Sequence, residues 1–397
     1  MSSLGREFTY YMPTRIRFGA DVSRYVGEEV KNLGRKKALV ITDEVLAKTG
    51  MADKIAKYLQ DAKVGNEIFS EVRPNPTIES INGAKVAIEK KGPDVLVAVG
   101  GGSSIDTAKL ASALAANPGK DLREWEGLGK IERKRAIPLI AIDTAAGTSS
   151  EVTIWATAVD PGKKAKVSIG DSSLAPDVAL CDPLLTVTCP PQLTAAVGID
   201  ALSHAWEAHR AKGAWTLTET HTREAIRLIF NSLRMAVYNG QNYQAREDMF
   251  KASILAGMSF PFAGAGMVHG TGERLSGYYD THHGITMAVM FPYVEAFNLP
   301  GCYEKYAEIA KLAGERVDDL STVEAAKLAI KALCRLIKDL NLPTTLKEVG
   351  VKTEDIENMA RDAYAFKPNM DVNPRPMRLE DIVSIYRNAY EGELKLD

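Results

Sequence analysis

The stretch VLVAVGGGSSIDTAK, Val95 to Lys109, decides how the rest of this 397-residue chain is read. Its first five residues, Val95 to Val99, are a continuous apolar run of the kind a strand carries when both of its faces are covered. Three glycines and two serines follow, and a helix is expected to open near Ile105. Without Cβ atoms, Gly100, Gly101 and Gly102 let backbone amides approach an anion closely, while the N–H groups and partial positive charge of the helix start face it. A pyrophosphate suits that geometry. The same run also reads as a plain tight turn, and the usual dinucleotide fingerprint G-x-G-x-x-G is absent, so the neighbouring segments have to decide.

Upstream lie the strand-like KKALVITD (36–43), the helical VLAKTGMADKIAKYLQDA, the strand-like EIFSEV and a helix near SINGAKVAIEKKG; downstream lies the strand-like IPLIAIDT. This βαβ alternation predicts an α/β N-terminal domain with a Rossmann-like parallel sheet, helices on both faces and ligands at the carboxyl ends of the strands. Asp43 closes the first strand, where a carboxylate accepts hydrogen bonds from an adenosine ribose and repels a 2′-phosphate, favouring NAD over NADP. It also reads as a helix cap. In the ordinary fingerprint the acid follows the glycines by about 20 residues, whereas here it precedes them, so the sheet must be threaded differently. A second polar turn, IDTAAGTSSEVT (142–153), offers hydroxyls and amides to the same ligand.

After the Pro-rich DPLLTVTCPPQLTAA (182–196) the strand-like runs fade, and amphipathic segments at 217–238, 245–259, 303–314, 323–340 and 379–391 predict an all-helical remainder. A junction between Thr186 and Gln192 divides the chain into a dinucleotide-binding domain, 1–188, and an all-α metal-binding and substrate domain, 189–397. All six histidines, at 204, 209, 221, 269, 282 and 283, fall in the second part. Asp200 and His204 stand four apart in GIDALSHAWEAH, neighbours on one helix face at about 5–6 Å. His269 and His283 end a Gly-rich segment able to fold them back toward that pair. One carboxylate and three neutral imidazoles suit Fe(II), Zn, Mn or Co, with positions left open for an alcohol or carbonyl oxygen. Alone, an Asp-x-x-x-His is more often an ion pair or a cap. Its conjunction with a phosphate loop and a strand-end acid favours a cofactor-plus-metal enzyme, and His209 and His221 are left as surface or packing residues.

Composition narrows the partners. Lys and Arg total 49 against 51 Asp and Glu, so there is no basic surplus for a nucleic-acid backbone or an anionic membrane, and a small-molecule substrate is expected. Cys181, Cys189, Cys302 and Cys334 show no C-x-x-C spacing, which argues against a zinc ribbon or a disulfide framework and for a reducing compartment. Arg6 and Glu7 stand where a signal peptide needs apolar residues, and no run of 18 apolar residues occurs; the expected location is the cytoplasm.

Together PTRIRFG (13–19), PNPT (74–77), GGGSSIDTAK (100–109), AGTSSEVT (146–153), GIDALSHAWEA (198–208), VHGTGERLSGYYDTHHG (268–284) and NPR (373–375) make the chain resemble the iron-containing (group III) alcohol dehydrogenases. GAWTLTE, after the first histidine motif, points to the lactaldehyde reductase and 1,3-propanediol dehydrogenase branch. The resemblance implies a dehydroquinate-synthase-like architecture and a homo-oligomer, dimer or larger. It makes Asp200, His204, His269 and His283 ligands of a divalent metal, Fe(II) foremost. It assigns Asp43 to the ribose, Gly101, Gly102, Ser103 and Asp106 to the pyrophosphate region, and Asn75, Thr144, Thr148 and Lys166 to further NAD contacts. Glu273 stands where the family has a histidine, His282 where it has a proline, and Trp155 and Ala145 where smaller polar or hydroxyl residues are frequent. His269, His283, Glu273 and His282 are the expected catalytic set, with Glu273, His282 or the nicotinamide ribose hydroxyl carrying the proton. The expected reaction is reversible hydride transfer between NAD(H) and a small primary alcohol or aldehyde, including polar or anionic ones such as hydroxy-, sulfo- or phosphono-acetaldehyde. The alternative is a dehydroquinate-synthase-like or other NAD- and metal-dependent lyase.

Overall fold

Strands form where β-branched runs are bounded by turns, and the computed structural model, which describes residues 7–135 and 137–396, contains nine of them among those residues. Arg6, on which part of the location argument rests, lies outside the described residues. The strands are β1 (Arg15–Phe18), β2 (Lys37–Asp43), β3 (Gly65–Val72), β4 (Val95–Val99), β5 (Gly127–Leu128), β6 (Leu139–Ile142), β7 (Trp155–Asp160), β8 (Ala165–Gly170) and β9 (Val178–Cys181). Six of them make a parallel sheet in the order β1-β9-β6-β4-β2-β3. Every residue of β4 and β6 is fully buried, as their unbroken apolar runs require. In β2, Leu39 and Ile41 join the core on one face with Ile81 and Ile105, while Ala38 and Val40 join the core on the other with Ile55 and Leu59.

The strand order settles the threading. From β2 the chain steps outward to β3 and then returns to place β4 on the opposite side of β2. The direction of winding therefore reverses between β2 and β4, opening a crevice at their carboxyl ends, with Asp43 on one lip and Gly100 to Gly102 on the other. An acid that precedes the glycines in sequence thus stands beside them in space.

Several local expectations are corrected. The helix read as one piece after Asp43 is two, Glu44–Lys48 and Met51–Asp61, because Gly50 adopts the left-handed conformation (φ 79°) between them. The helix after the glycine loop starts at Gly102, earlier than Ile105. A small second sheet, β5-β8-β7, was not anticipated; its β7–β8 hairpin carries Lys166 and Ser168. The Gly-rich segment between His269 and His283 is a regular helix, Met267–Tyr279, followed by a short turn.

From Pro191 onward the described residues are helices and turns, and the five amphipathic segments appear within two residues of their expected bounds. Their apolar faces meet in one large core that includes Trp206, Phe291, Tyr306 and Tyr386. Among the described residues no helix is long and apolar enough to cross a membrane.

The two regions meet where the loop 146–153 lies on the helix Pro191–Arg210. A Cβ on Gly147 would stand 2.4 Å from Val197 Cβ and 2.6 Å from the Val197 carbonyl oxygen. The loop is pinned from behind, since Ser149 Oγ donates to the Ser253 carbonyl at 2.6 Å. Gly147→Ala should therefore destabilise the protein by about 1–3 kcal/mol through overpacking. An unchanged midpoint in denaturant titration would show that this contact does not hold the loop.

Candidate active site and metal centre

The helix Pro191–Arg210 presents Asp200, His204 and Glu207 at i, i+4 and i+7, a single face, and all three are buried. His269 lies in the first turn of Met267–Tyr279. His283 opens the helix His283–Asn298, and the next residue explains how it descends onto the Asp200 helix: a Cβ on Gly284 would stand 2.2 Å from the Ala196 carbonyl oxygen. Three separate helices thus deliver side chains to one point.

Asp200 Oδ1 lies 3.4 Å from His283 Nε2 and 3.8 Å from His269 Nε2, and one ligand atom from each residue falls within 4.8 Å of the others. Four ligands around an ion at about 2.1 Å are separated by about 3.4 Å, so the spacing matches a shared cation. Asp200 Oδ1 and His269 Nε2 are buried and take no hydrogen bond, as coordinating atoms would be left without their ion. Burial pushes the Asp200 carboxyl up to about 7 against the opposing pull of His269 and Lys166. Burial holds His204 and His283 well below the usual histidine value, so both offer neutral lone pairs. This largely buried donor set fits a divalent metal.

Of the four expected ligands the structure gathers Asp200, His269 and His283 into that triangle and keeps His204 alongside. The His204 ring stacks on His269, centroids 4.5 Å apart, and on Phe260 at 4.2 Å. His269 is steered from behind: its Nδ1 lies 2.5 Å from Glu207 Oε2. Burial opposes both charges, yet their mutual hydrogen bond raises His269 and, with Arg210, lowers Glu207. Glu207, Arg210 and Glu295 were not singled out from the sequence; the i+7 spacing of Glu207 from Asp200 was the available signal.

On the sheet side, the Leu46 N–H donates to Asp43 Oδ1 at 2.9 Å, so Asp43 is indeed a helix cap while standing at the crevice. The helix Gly102–Ala116 begins at Gly101 with no side-chain cap, leaving its first amides available to an anion. Thr148 lies over the loop, its Oγ1 2.8 Å from where a Cβ on Gly102 would sit, and the Thr144 N–H donates to the Gly100 carbonyl at 3.3 Å. Ser103 is in the first turn of that helix. Both oxygens of buried Asp106 are occupied within the protein, by Ser150 Oγ at 2.5 Å and by the Thr157 N–H at 2.9 Å, so it ties the helix Gly102–Ala116 to the loop 146–153 and to β7. Asn75, at φ 46°, donates from Nδ2 to Asp280 Oδ1 at 3.0 Å and so bridges the sheet region to the end of the His269 helix.

The hairpin completes the pocket. Lys166 on β8 is buried among the charges of Glu273, Asp200 and Asp106, and burial lowers its pKa. Ser168 Oγ sits 3.4 Å from both oxygens of Glu273, which is also 3.5 Å from Arg274 Nη2. His282 precedes the His283 helix, its pKa lowered by burial and by Lys166. The expected proton-path residues therefore stand beside the hairpin. Trp155, on β7, packs against the small apolar cluster of Ala208, Ala211, Phe260 and Ala263.

Two family descriptions match the chain, the iron-containing alcohol dehydrogenase over residues 13–183 and the Fe-containing alcohol dehydrogenase family, C-terminal, over 194–390. The NAD-dependent methanol dehydrogenase of Bacillus methanolicus is 40% identical over 380 residues, 96% of this chain and 99% of that one. The lactaldehyde reductase of Escherichia coli strain K12 is 37% identical over 378 residues, 94% and 97% of the two chains. The crystal structure of 1,3-propanediol oxidoreductase superposes with a TM-score of 0.93 at 40% identity, covering 97% of this chain and 100% of that one.

Replacing Asp43 by Gly removes the charge at the crevice and should raise the ratio of kcat/KM for NADP over NAD by about 10-fold or more, one decade for each 1.4 kcal/mol of repulsion relieved. An unchanged ratio would leave Asp43 a cap only.

Proposed function

We infer the reaction from a plain premise: the chain belongs to the iron-containing alcohol dehydrogenase family. It is a metal-dependent, NAD(H)-linked alcohol dehydrogenase that interconverts a small primary alcohol and its aldehyde. The observation that carries the site assignment is the triangle of buried Asp200 and His269 with half-buried His283, in which Asp200 Oδ1 and His269 Nε2 face one another without a hydrogen-bond partner.

In this reading Asp200, His204, His269 and His283 hold the divalent metal, with Fe(II) the foremost candidate and Zn, Mn and Co suited to the same donors. When bound, the metal polarises the substrate oxygen and NAD(H) exchanges the hydride. The amides at Gly101, Gly102 and Ser103 receive the pyrophosphate, Asp43 the ribose hydroxyls, and Asn75, Thr144, Thr148 and Lys166 the rest of the dinucleotide. Asp106 supports them by fixing the loop. Glu273, hydrogen-bonded by Ser168, exchanges the alcohol proton at its carboxylate, and His282 at the pocket rim passes it outward. Phe260 and Trp155 form the apolar wall. The domain division at 188 and 189 belongs to the same reading, as do a cytoplasmic location, to which the free cysteines among the described residues lend support, and a homo-oligomeric state.

The test is an NADH-linked screen of short aldehydes, including hydroxy-, sulfo- and phosphono-acetaldehyde, on protein reconstituted anaerobically with Fe(II). We expect one NADH consumed per aldehyde reduced, with turnover and metal retention lost together in His269→Ala. Product formed without net change in NADH would favour the lyase alternative, and full turnover by metal-depleted protein would remove the metal from the reaction. Glu273→His should shift the pH profile of kcat, because an imidazole then replaces a carboxylate as the group that exchanges the proton. An identical profile would take Glu273 out of the proton path.

A further inference from the structure

We propose that Glu207, itself clamped by Arg210, is the positioning residue of the metal centre, fixing His269 as the tautomer whose Nε2 lone pair faces Asp200. The proposal rests on the metal-site reading above and adds to it a residue that touches neither the ion nor the substrate.

Glu207 is fully buried, and each of its oxygens is held. Oε1 accepts from the Val268 N–H at 2.8 Å and from Arg210 Nη2 at 3.0 Å. Oε2 lies 2.5 Å from His269 Nδ1 and accepts from the His269 N–H at 3.4 Å. A carboxylate only accepts, so the ring proton resides on Nδ1 and the lone pair on Nε2. That Nε2 atom is buried, without a hydrogen-bond partner, and directed to Asp200 at 3.8 Å. One contact sets the rotation of the imidazole, its tautomer and its basicity, the combination by which an outer carboxylate tunes a metal-binding histidine.

Arg210 keeps the carboxylate from turning. It donates from Nε and Nη2 to Glu295 at 2.8 and 2.5 Å and from Nη1 to Asn373 Oδ1 at 3.3 Å. Glu295 lies on the helix that His283 opens, and it also accepts from Trp206 Nε1 at 3.0 Å and from the Tyr306 hydroxyl. Asn373 of the NPR segment exchanges hydrogen bonds with Asn298 at the far end of that helix. Glu207 thus fastens the helix of Asp200 to that of His269, and Arg210 fastens it to that of His283. A pair serving packing alone is weak evidence of stabilisation and gives no reason for one ring nitrogen to be gripped and the other left bare.

The experiment uses full-length protein stripped of metal and titrated with Co(II) against a chelator, reading affinity and the visible d–d spectrum. Wild type should bind one Co(II) per chain, Asp200→Ala should not, and Glu207→Gln should bind about 10- to 100-fold more weakly with a changed spectrum. Glu207→Asp, which keeps the charge but shortens its reach, should fall between. Nitrogen-15 NMR of the wild-type protein loaded with diamagnetic Zn(II) should place the His269 proton on Nδ1, a readout that does not depend on any variant folding. A proton on Nε2, or wild-type affinity and spectrum in Glu207→Gln, overturns the proposal while leaving the metal site standing. Failure of wild type to bind Co(II), or binding unaffected by Asp200→Ala, overturns the site reading and the proposal together.

Discussion

A carboxylate withdrawn from water costs several kcal/mol unless opposite charge or hydrogen bonds compensate it. Asp200 is almost wholly buried, and its Oδ1 accepts nothing from the protein. Around it the fold supplies His204 and His283, which burial holds neutral and whose lone pairs offer an anion no relief, while His269 and Lys166 pull the other way without overcoming the burial. The arrangement is unfavourable as a set of protein groups and favourable as a cage for a divalent cation, and much of the helical region is built to maintain it. Two further helices bring His269 and His283 to the Asp200 helix, and a buried polar cluster locks the three in register.

The sheet region offers an anion backbone donors instead of side-chain charge. Reversal of the winding between β2 and β4 creates the crevice, and the uncapped start of the Gly102–Ala116 helix supplies donors and a partial positive charge within it. Asp106 and Lys109 do not face outward to the anion; both spend their polar atoms on the 150–157 segment, with Lys109 donating to the carbonyls of Thr153 and Trp155. The electrostatics of the loop are thus left to amides, while charged side chains set its shape.

Much of this was legible in the sequence because it rests on local pattern. The apolar runs of β2, β4 and β6 announce strands covered on both faces, and the 3.6-residue periodicity of the C-terminal segments announces their helices. Asp200 and His204 are four residues apart, so their shared face follows from helix geometry. The hairpin is not legible because β7 and β8 mix small, polar and charged residues with few large apolar ones, although most of both strands is buried. The helix Met267–Tyr279 was hidden by three glycines, of which Gly272 and Gly277 admit close neighbours at Met287 and at the backbone of Lys164. Glu207, Arg210 and Glu295 could not be paired from sequence, since 85 residues separate Arg210 from Glu295 and only the tertiary fold closes that gap.

Gly284 carries a consequence for how this protein can change. With the Ala196 carbonyl 2.2 Å from where its first side-chain carbon would go, the helix opened by His283 has clearance there for a hydrogen atom and nothing larger. On the proposed reading of the site, variation in substrate preference therefore falls on the β7–β8 hairpin, which is not part of the packing between the helices of Asp200 and His283. Libraries selected for new alcohols should drift at that hairpin and return glycine at 284, the fixed point about which substrate preference is able to evolve.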